Sequence, residues 1–129
     1  MKLDGVMIWV PDVPATVAFY QAAFGLELQL MDDTKQYAQL GTGQTTLAFA
    51  DEAAAASTGV SVRPHRPTVE AAAVQLAFVA DDVRAAYQRA VDAGAVAEVP
   101  LVEKPWGQTL GYLRDNNGFL IEVSSPAAW

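Results

Sequence analysis

The sequence predicts an α+β fold of two βαβββ modules, forming a cupped mixed sheet with helices on its outer face. Three observations carry that prediction. A strand ending in WVPDV (9–13) leads into a helix, and a strand ending in FVADDV (78–83) leads into another. Val10 and Val79 lie 69 positions apart, and so do Gly25 and Gly94, which close the two helices. Each helix is followed by alternating apolar stretches that end in TTLAFAD (45–51) and GFLIEVS (118–124). Ala48 corresponds to Glu122 at a separation of 74, so a few residues of slippage accumulate between the copies. A repeat this long marks two supersecondary units that each bury one face. Duplicated units facing each other enclose a cleft, and that cleft is where function is expected.

The elements follow in order. Residues 3–10 alternate as a strand, with Val6, Ile8 and Val10 on one face and Gly5, Met7 and Trp9 on the other. Pro11 and Asp12 end it, and Asp12 is placed to cap the next helix, whose apolar stripe is Val13, Val17, Tyr20 and Phe24. Gly25 stops the helix. Residues 26–30, 37–40 and 45–50 form a meander turned at Asp32-Asp33 and at Gly41-Thr42-Gly43. In the second copy Val74, Leu76 and Phe78 alternate with Gln75, Ala77 and Val79. Asp81 or Asp82 caps a helix carrying Val83, Tyr87 and Ala90, and Gly94 closes it. Strands at about 96–102, 108–114 and 119–124 complete the copy, the last turn lying at Asn116-Asn117-Gly118. The chain reads as a single domain over 1–129: module one 1–50, a linker 51–72, and module two 73–129. The first part of the linker could form one helical turn or two; Pro64 and Pro67 keep the rest extended or irregular.

Composition narrows the function classes. With 129 residues, 52% hydrophobic and 18% charged, the chain is long and apolar enough for an ordered core. A formal charge of −7 argues against nucleic acid and against an anionic membrane as partners, since both are polyanions. It suits a neutral or cationic ligand, and it also serves solubility. The absence of cysteine excludes disulfides, thiolate metal sites and a Cys nucleophile. No apolar run reaches 18 residues and the N-terminal segment lacks a signal-peptide pattern, so the expected location is cytoplasmic.

Strand parity separates a core face from a candidate binding face. Val6/Ile8/Val10, Leu47/Phe49, Leu76/Phe78 and Phe119/Ile121/Val123 are uniformly large and apolar and belong beneath the helices. The opposite positions, among them Met7, Trp9, Ala48, Gln75 and Glu122, are mixed and poor in charge. Such a surface suits a small organic molecule better than bulk water. Glu122 sits mid-strand between core residues yet points away from them. It is either a solvent-facing glutamate or a polar anchor in the cleft, and its apolar neighbours favour the anchor. Gln75 has the same standing with a weaker case. Trp106, between Pro105 and Gly107, is a loop residue that either rims the cleft or plugs the core edge. The Tyr112 phenol could reach a ligand or bond across the sheet. His65, flanked by Arg63 and Arg66 in RPHRP, reads as part of a solvated basic loop.

Several chemistries find no pattern here. GTGQTT lacks the Lys and the strand-to-helix setting of a phosphate loop, no G-x-S-x-G elbow occurs, and no H-E-x-x-H zinc spacing is present. The carboxylate pairs Asp32-Asp33, Asp51-Glu52 and Asp81-Asp82 lie at turns and helix starts, where capping accounts for them.

The stretches VPDVPATVAFYQAAFGLEL (10–28), VQLAFVADDVRAAYQRAVDAGA (74–95) and YLRDNNGFLIEV (112–123) resemble the vicinal oxygen chelate superfamily, which groups glyoxalases, bleomycin resistance proteins and dioxygenases. The last stretch resembles the family's Asp-Pro-Asp-Gly turn and glutamate-bearing strand, with Asn116 where proline is usual. The resemblance spans nearly the whole chain and implies the family fold, but not one reaction. Family enzymes usually hold a divalent metal at four positions, which fall here on Gly5, Ala48, Gln75 and Glu122. Gly5 and Ala48 carry no side-chain donor, so the expectation is no metal and no cofactor, with at most a weak divalent ion at Gln75/Glu122. The resemblance then implies a metal-free binder like the antibiotic-sequestering members, holding a partly aromatic molecule through Met7, Trp9, Ala48, Gln75, Trp106, Tyr112 and Glu122. It also implies a homodimer. The alternative is a lyase, isomerase or dioxygenase using the weak metal site or Glu122 as catalytic base.

Overall fold

The computed structural model describes residues 1–127. They form two compact units, Met1–Pro64 and a second beginning at His65, so the segment between the modules is divided between the two. The element order is β1 (Gly5–Val10), α1 (Val13–Phe24), β2 (Glu27–Met31), β3 (Tyr37–Gly41), β4 (Thr46–Asp51), a 3-10 helix (Glu52–Thr58), β5 (Gln75–Val79), α2 (Val83–Asp92), β6 (Val96–Glu103), β7 (Thr109–Arg114) and β8 (Leu120–Ser124). Each unit is thus a βαβββ module with its own four-stranded mixed sheet, ordered β1-β4-β3-β2 in the first and β5-β8-β7-β6 in the second. In both, the strand before the helix pairs parallel to the last strand, and the other pairings are antiparallel.

Local chemistry sets the boundaries. The Asp12 carboxylate accepts the Ala15 amide at 3.0 Å, satisfying an N–H that α1 leaves free, and Pro14 fits the first turn, where no amide is required. Gly25 stops α1 in the left-handed region at φ 67°. Asp82, not Asp81, caps α2 through the Ala85 amide at 3.1 Å. Asp51 starts the 3-10 helix by accepting from the Ala53 amide at 2.9 Å, and residues 60–74 carry no regular structure. No helix among the described residues is long and apolar enough to cross a membrane.

The first unit buries an aromatic core between α1 and its sheet. Tyr20 and Phe49 are fully buried with ring centroids 4.8 Å apart, and Phe24 packs on Tyr20 at 5.2 Å. Leu40, Leu47, Val13 and Val17 fill around them. In the second unit Leu113, Ile121, Val123 and Ala90 make the core. Gly111 lets Tyr87 of α2 approach that sheet: a Cβ there would sit 3.0 Å from the Tyr87 ring and 2.9 Å from the Val99 carbonyl oxygen. Tyr87 uses that room to donate its hydroxyl to the Val99 carbonyl at 3.1 Å.

The expected core face needs one refinement. Leu47, Phe49, Ile121 and Val123 are buried as parity requires, but Val6, Ile8, Leu76 and Phe78 are only half-buried. They lie on β1 and β5, the edge strands of their sheets, and an edge strand has a neighbour on one side only.

His65 corrects the sequence reading. It is half-buried, its ring centroid lies 4.6 Å from that of Phe119, and its Nε2 donates to the Gly118 carbonyl at 2.9 Å. Arg114 ties down the same segment, donating Nε to Gly118 O and Nη2 to Val69 O, both at 2.6 Å, with Glu98 3.9 Å from its Nη1. The 65–70 strap lies so close over the β7–β8 turn that a Cβ on Gly118, at φ 87°, would stand 2.7 Å from the Pro67 Cα. His65 is therefore anchored on the β7–β8 turn and not solvated, while Arg63 and residues 67–70 are exposed as a solvated loop would be.

Candidate functional site

The sequence-derived candidates divide into two groups, one on each sheet. On the second, cross-strand register sets Ala77, Glu122 and Tyr112 side by side, Glu122 on the central strand β8. Gln75 stands one row away on β5 and is exposed, while Glu122 and Tyr112 are half-buried. Gln75 Nε2 donates to Glu122 Oε1 at 3.4 Å, and the Tyr112 hydroxyl donates to the same oxygen at 3.3 Å. Both contacts exceed the usual 2.7–3.0 Å of a good hydrogen bond, so the carboxylate is only loosely satisfied. Among the described residues Oε2 takes no hydrogen bond. One carboxylate oxygen is thus held by two neighbours, and the other keeps its lone pairs for a further donor.

Burial pushes the Tyr112 phenol above its ordinary pKa, and the Glu122 charge and hydrogen bond push it the same way. A neighbouring carboxylate resists a second negative charge, so Tyr112 stays protonated and remains a donor.

On the first sheet Met7, Ala48 and Gln39 form one row, and Trp9, Ala50 and Tyr37 the next. Ala48 and Ala50 are buried at 4% and 6% exposure, Trp9, Tyr37 and Gln39 are half-buried, and Met7 is exposed. Gln39 Nε2 donates to the Tyr37 hydroxyl at 2.8 Å. Tyr37 and Gln39 were not singled out in the sequence. Their signal was the alternation Tyr37-Ala38-Gln39-Leu40, whose even members are fully buried.

Trp106 lies at the tip of the β6–β7 hairpin, where Gly107 adopts φ 90° and the Lys104 amide bonds to the Gln108 carbonyl at 2.8 Å. Trp106 is 51% exposed and its indole donates to Gln108 Oε1 at 3.1 Å, while Gln108 Nε2 donates to the Ser125 carbonyl at 2.9 Å. The indole is thus not a plug for the core. Among the described residues no hydrogen bond or ring contact joins it to Gln75, Tyr112 or Glu122.

The donor chemistry of the four family metal positions does not fit a metal. Gly5 and Ala48 offer no side-chain donor, leaving one amide and one carboxylate, and among the described residues no three His, Cys, Asp or Glu side chains cluster to hold an ion. Two oxygen donors fall short of what a zinc or hard-cation site needs.

Comparison with known proteins places this architecture. The family model described as the Glyoxalase/Bleomycin resistance protein/Dioxygenase superfamily matches residues 2–123. No curated protein matches the chain. Among solved structures, a glyoxalase-related enzyme from Fulvimarina pelagi superposes with a TM-score of 0.82 at 19% identity, covering 98% of this chain and 88% of its own. TioX from Micromonospora sp. ML1 gives 0.72 at 26% identity, covering 97% and 98%. Lactoylglutathione lyase from Agrobacterium tumefaciens gives 0.71 at 25% identity, covering 99% and 96%.

Proposed function

We propose that this chain, which belongs to the glyoxalase/bleomycin resistance protein/dioxygenase superfamily, is a small-molecule-binding protein that works without a resident metal, like the family's antibiotic-sequestering members. The observation that carries the reading is the loosely held Glu122, bonded at Oε1 by Gln75 and Tyr112 and open at Oε2. The donor-poor Gly5 and Ala48 support it from the other module. A half-buried carboxylate on a protein of formal charge −7 favours a neutral or cationic ligand. Aromatic surface at Trp9 and Trp106 favours one with flat rings. In this reading the protein acts as a cytoplasmic homodimer.

The enzymatic alternative rests on one contact. A carboxylate 3.3 Å from a phenol could pass a proton to or from a bound substrate, with Glu122 as base. The similarity to a lactoylglutathione lyase at 25% identity makes a lyase the class to test first.

Two measurements decide between them. Titration with benzamidinium, a planar aromatic cation, is expected to show binding that Glu122→Gln weakens at least fivefold, about 1 kcal/mol, with the thermal transition unchanged. Equal affinity in both proteins would remove Glu122 from the site. Elemental analysis after dialysis against a chelator is expected to find far less than one divalent ion per chain; a stoichiometric ion would turn the reading to the enzyme.

A further inference from the structure

Cross-strand pairing sets three rows across β5, β8 and β7 of the second sheet: Gln75–Leu120–Arg114, Ala77–Glu122–Tyr112 and Val79–Ser124–Leu110. The surface around Glu122 is not equally open in every direction. Towards β7, Leu110 and Arg114 are buried, and so is Ser124 on β8 itself. Towards β5, Gln75 and Ala77 are exposed and Val79 is 66% exposed. Ala77, directly beside Glu122, carries only a methyl group. A ligand therefore reaches the carboxylate from the β5 side, across Ala77 and Val79. Arg114, the one cation in these rows, is already committed. Its Nε and Nη2 donate to the Gly118 and Val69 carbonyls, and Glu98 lies 3.9 Å from its Nη1.

Hydrogen-bond accounting then selects the ligand's head group. Each carboxylate oxygen offers about two lone-pair sites. Glu122 Oε1 meets two donors, Gln75 Nε2 and the Tyr112 hydroxyl, so both of its sites are taken. Oε2 meets none among the described residues. By turning their donors to Oε1, Gln75 keeps its own side-chain oxygen and Tyr112 its phenol oxygen as acceptors. The cluster is left with acceptors on three side chains and one spare donor, the second Gln75 N–H. An anion finds little there. A planar guanidinium or amidinium fork needs a site on each carboxylate oxygen, and it must displace Gln75 or Tyr112 from Oε1 to obtain one. An ammonium brings three donors on a tetrahedral head, has no acceptor, and needs only Oε2 of the carboxylate.

We infer that the ligand presents to the second sheet a primary ammonium on a saturated carbon, its nitrogen on Glu122 Oε2 and its carbon stem over Ala77 and Val79. The remaining N–H groups turn to the Gln75 and Tyr112 oxygens or to water. This names the head group of the ligand and rests on the small-molecule-binding reading, in which Glu122 meets that ligand.

The test compares benzylammonium with benzamidinium on the full chain, by NMR chemical-shift titration at neutral pH. The two share a phenyl ring and a single positive charge, and differ in whether the head is a tetrahedral ammonium or a planar fork. Wild type is expected to bind benzylammonium about fivefold more tightly, the worth of one hydrogen bond that the fork must break. Tyr112→Phe frees a site on Oε1 and removes an acceptor, so the preference is expected to fall to about twofold or less. A Tyr112 that acted through packing alone would change both affinities together and leave their ratio as it was. Ala77→Leu, which obstructs the approach from β5, is expected to weaken both ligands while the thermal transition is unchanged. Circular dichroism confirms that each variant is folded, and should Tyr112→Phe unfold, Gln75→Leu, which frees the other site on Oε1, replaces it. Equal or tighter binding of benzamidinium to wild type, an unchanged preference in the folded variant, or no binding of benzylammonium at millimolar concentration would overturn the inference. A folded Ala77→Leu that binds both ligands as wild type does would overturn the placement of the stem. Failure of the broader reading looks different: Glu122→Gln then leaves the affinity for benzamidinium unchanged, whichever head group wild type prefers.

Discussion

The two modules share one lattice and fill it in opposite ways. On the first sheet the central strand β4 carries Ala48, with Met7 and Gln39 beside it; on the second, β8 carries Glu122, with Ala77 and Tyr112 beside it. Small and large have changed places between the first strand and the central one. The same register yields a row centred on a buried alanine in one module and a row centred on a half-buried carboxylate in the other. Duplication therefore preserves pairing and parity, which the backbone enforces, and leaves each face free to take up its own chemistry.

The cores differ in the same way, and this gives the largest expected effect. Phe49 and Val123 occupy equivalent central-strand positions, paired with Ile8 and Phe78. Phe49 is fully buried against Tyr20, whereas Val123 has fewer methylenes to lose. Urea unfolding is expected to show Phe49→Ala destabilising by about 3–5 kcal/mol and Val123→Ala by roughly half that. Equal costs would mean that the aromatic cluster of the first module adds nothing beyond its neighbours' packing.

A smaller effect tests whether the faces are interchangeable. Ala48→Glu places in the first module the residue that the second has at the matching position. Glu122 is tolerated because it is half-exposed and takes hydrogen bonds from Tyr112 and Gln75. Ala48 is buried, and its row offers Gln39, already engaged with Tyr37, and the apolar Met7. Thermal unfolding is expected to show a loss of about 2–3 kcal/mol for Ala48→Glu, against little change for Glu122→Ala. A neutral Ala48→Glu would show that water reaches this face of β4.

This comparison also separates what the sequence made legible from what it did not. The caps at Asp12 and Asp82, the stop at Gly25 and the parity of Glu122 and Gln75 are local signals, each read within a few residues. They define the modules and put Glu122 and Gln75 on one face, whereas the place of Tyr112 beside Glu122 comes only from the β7–β8 pairing. His65 was misread because its partner, the Gly118 carbonyl, lies 53 residues away in sequence and no local pattern announces it. Tyr37 and Gln39 were passed over for a related reason. On a five-residue strand their alternation reads only as a meander, and pairing alone brings them beside the alanines of β4.

The smallest effect concerns two phenols of the second module. Burial raises the pKa of both Tyr87 and Tyr112, but only Tyr112 also faces the Glu122 carboxylate. Removing that charge should separate the two causes. In Glu122→Gln, Tyr112 is expected to ionise at lower pH than in wild type while still titrating above its ordinary value, because burial, the larger cause, remains. Tyr87 is expected not to move. NMR-monitored titration of the tyrosine Cζ resonances, with Tyr87→Phe and Tyr112→Phe for assignment, reads each phenol separately. The sign for stability follows. A phenol whose folded pKa is raised keeps its proton longer when folded, so its contribution is intact below pH about 10 and is lost as pH climbs through the folded value. Glu122→Gln should therefore lessen the alkaline loss of stability. If the Tyr112 titration is identical in wild type and Glu122→Gln, the 3.3 Å contact does not persist in solution, and the carboxylate is not held at Oε1 by its neighbour.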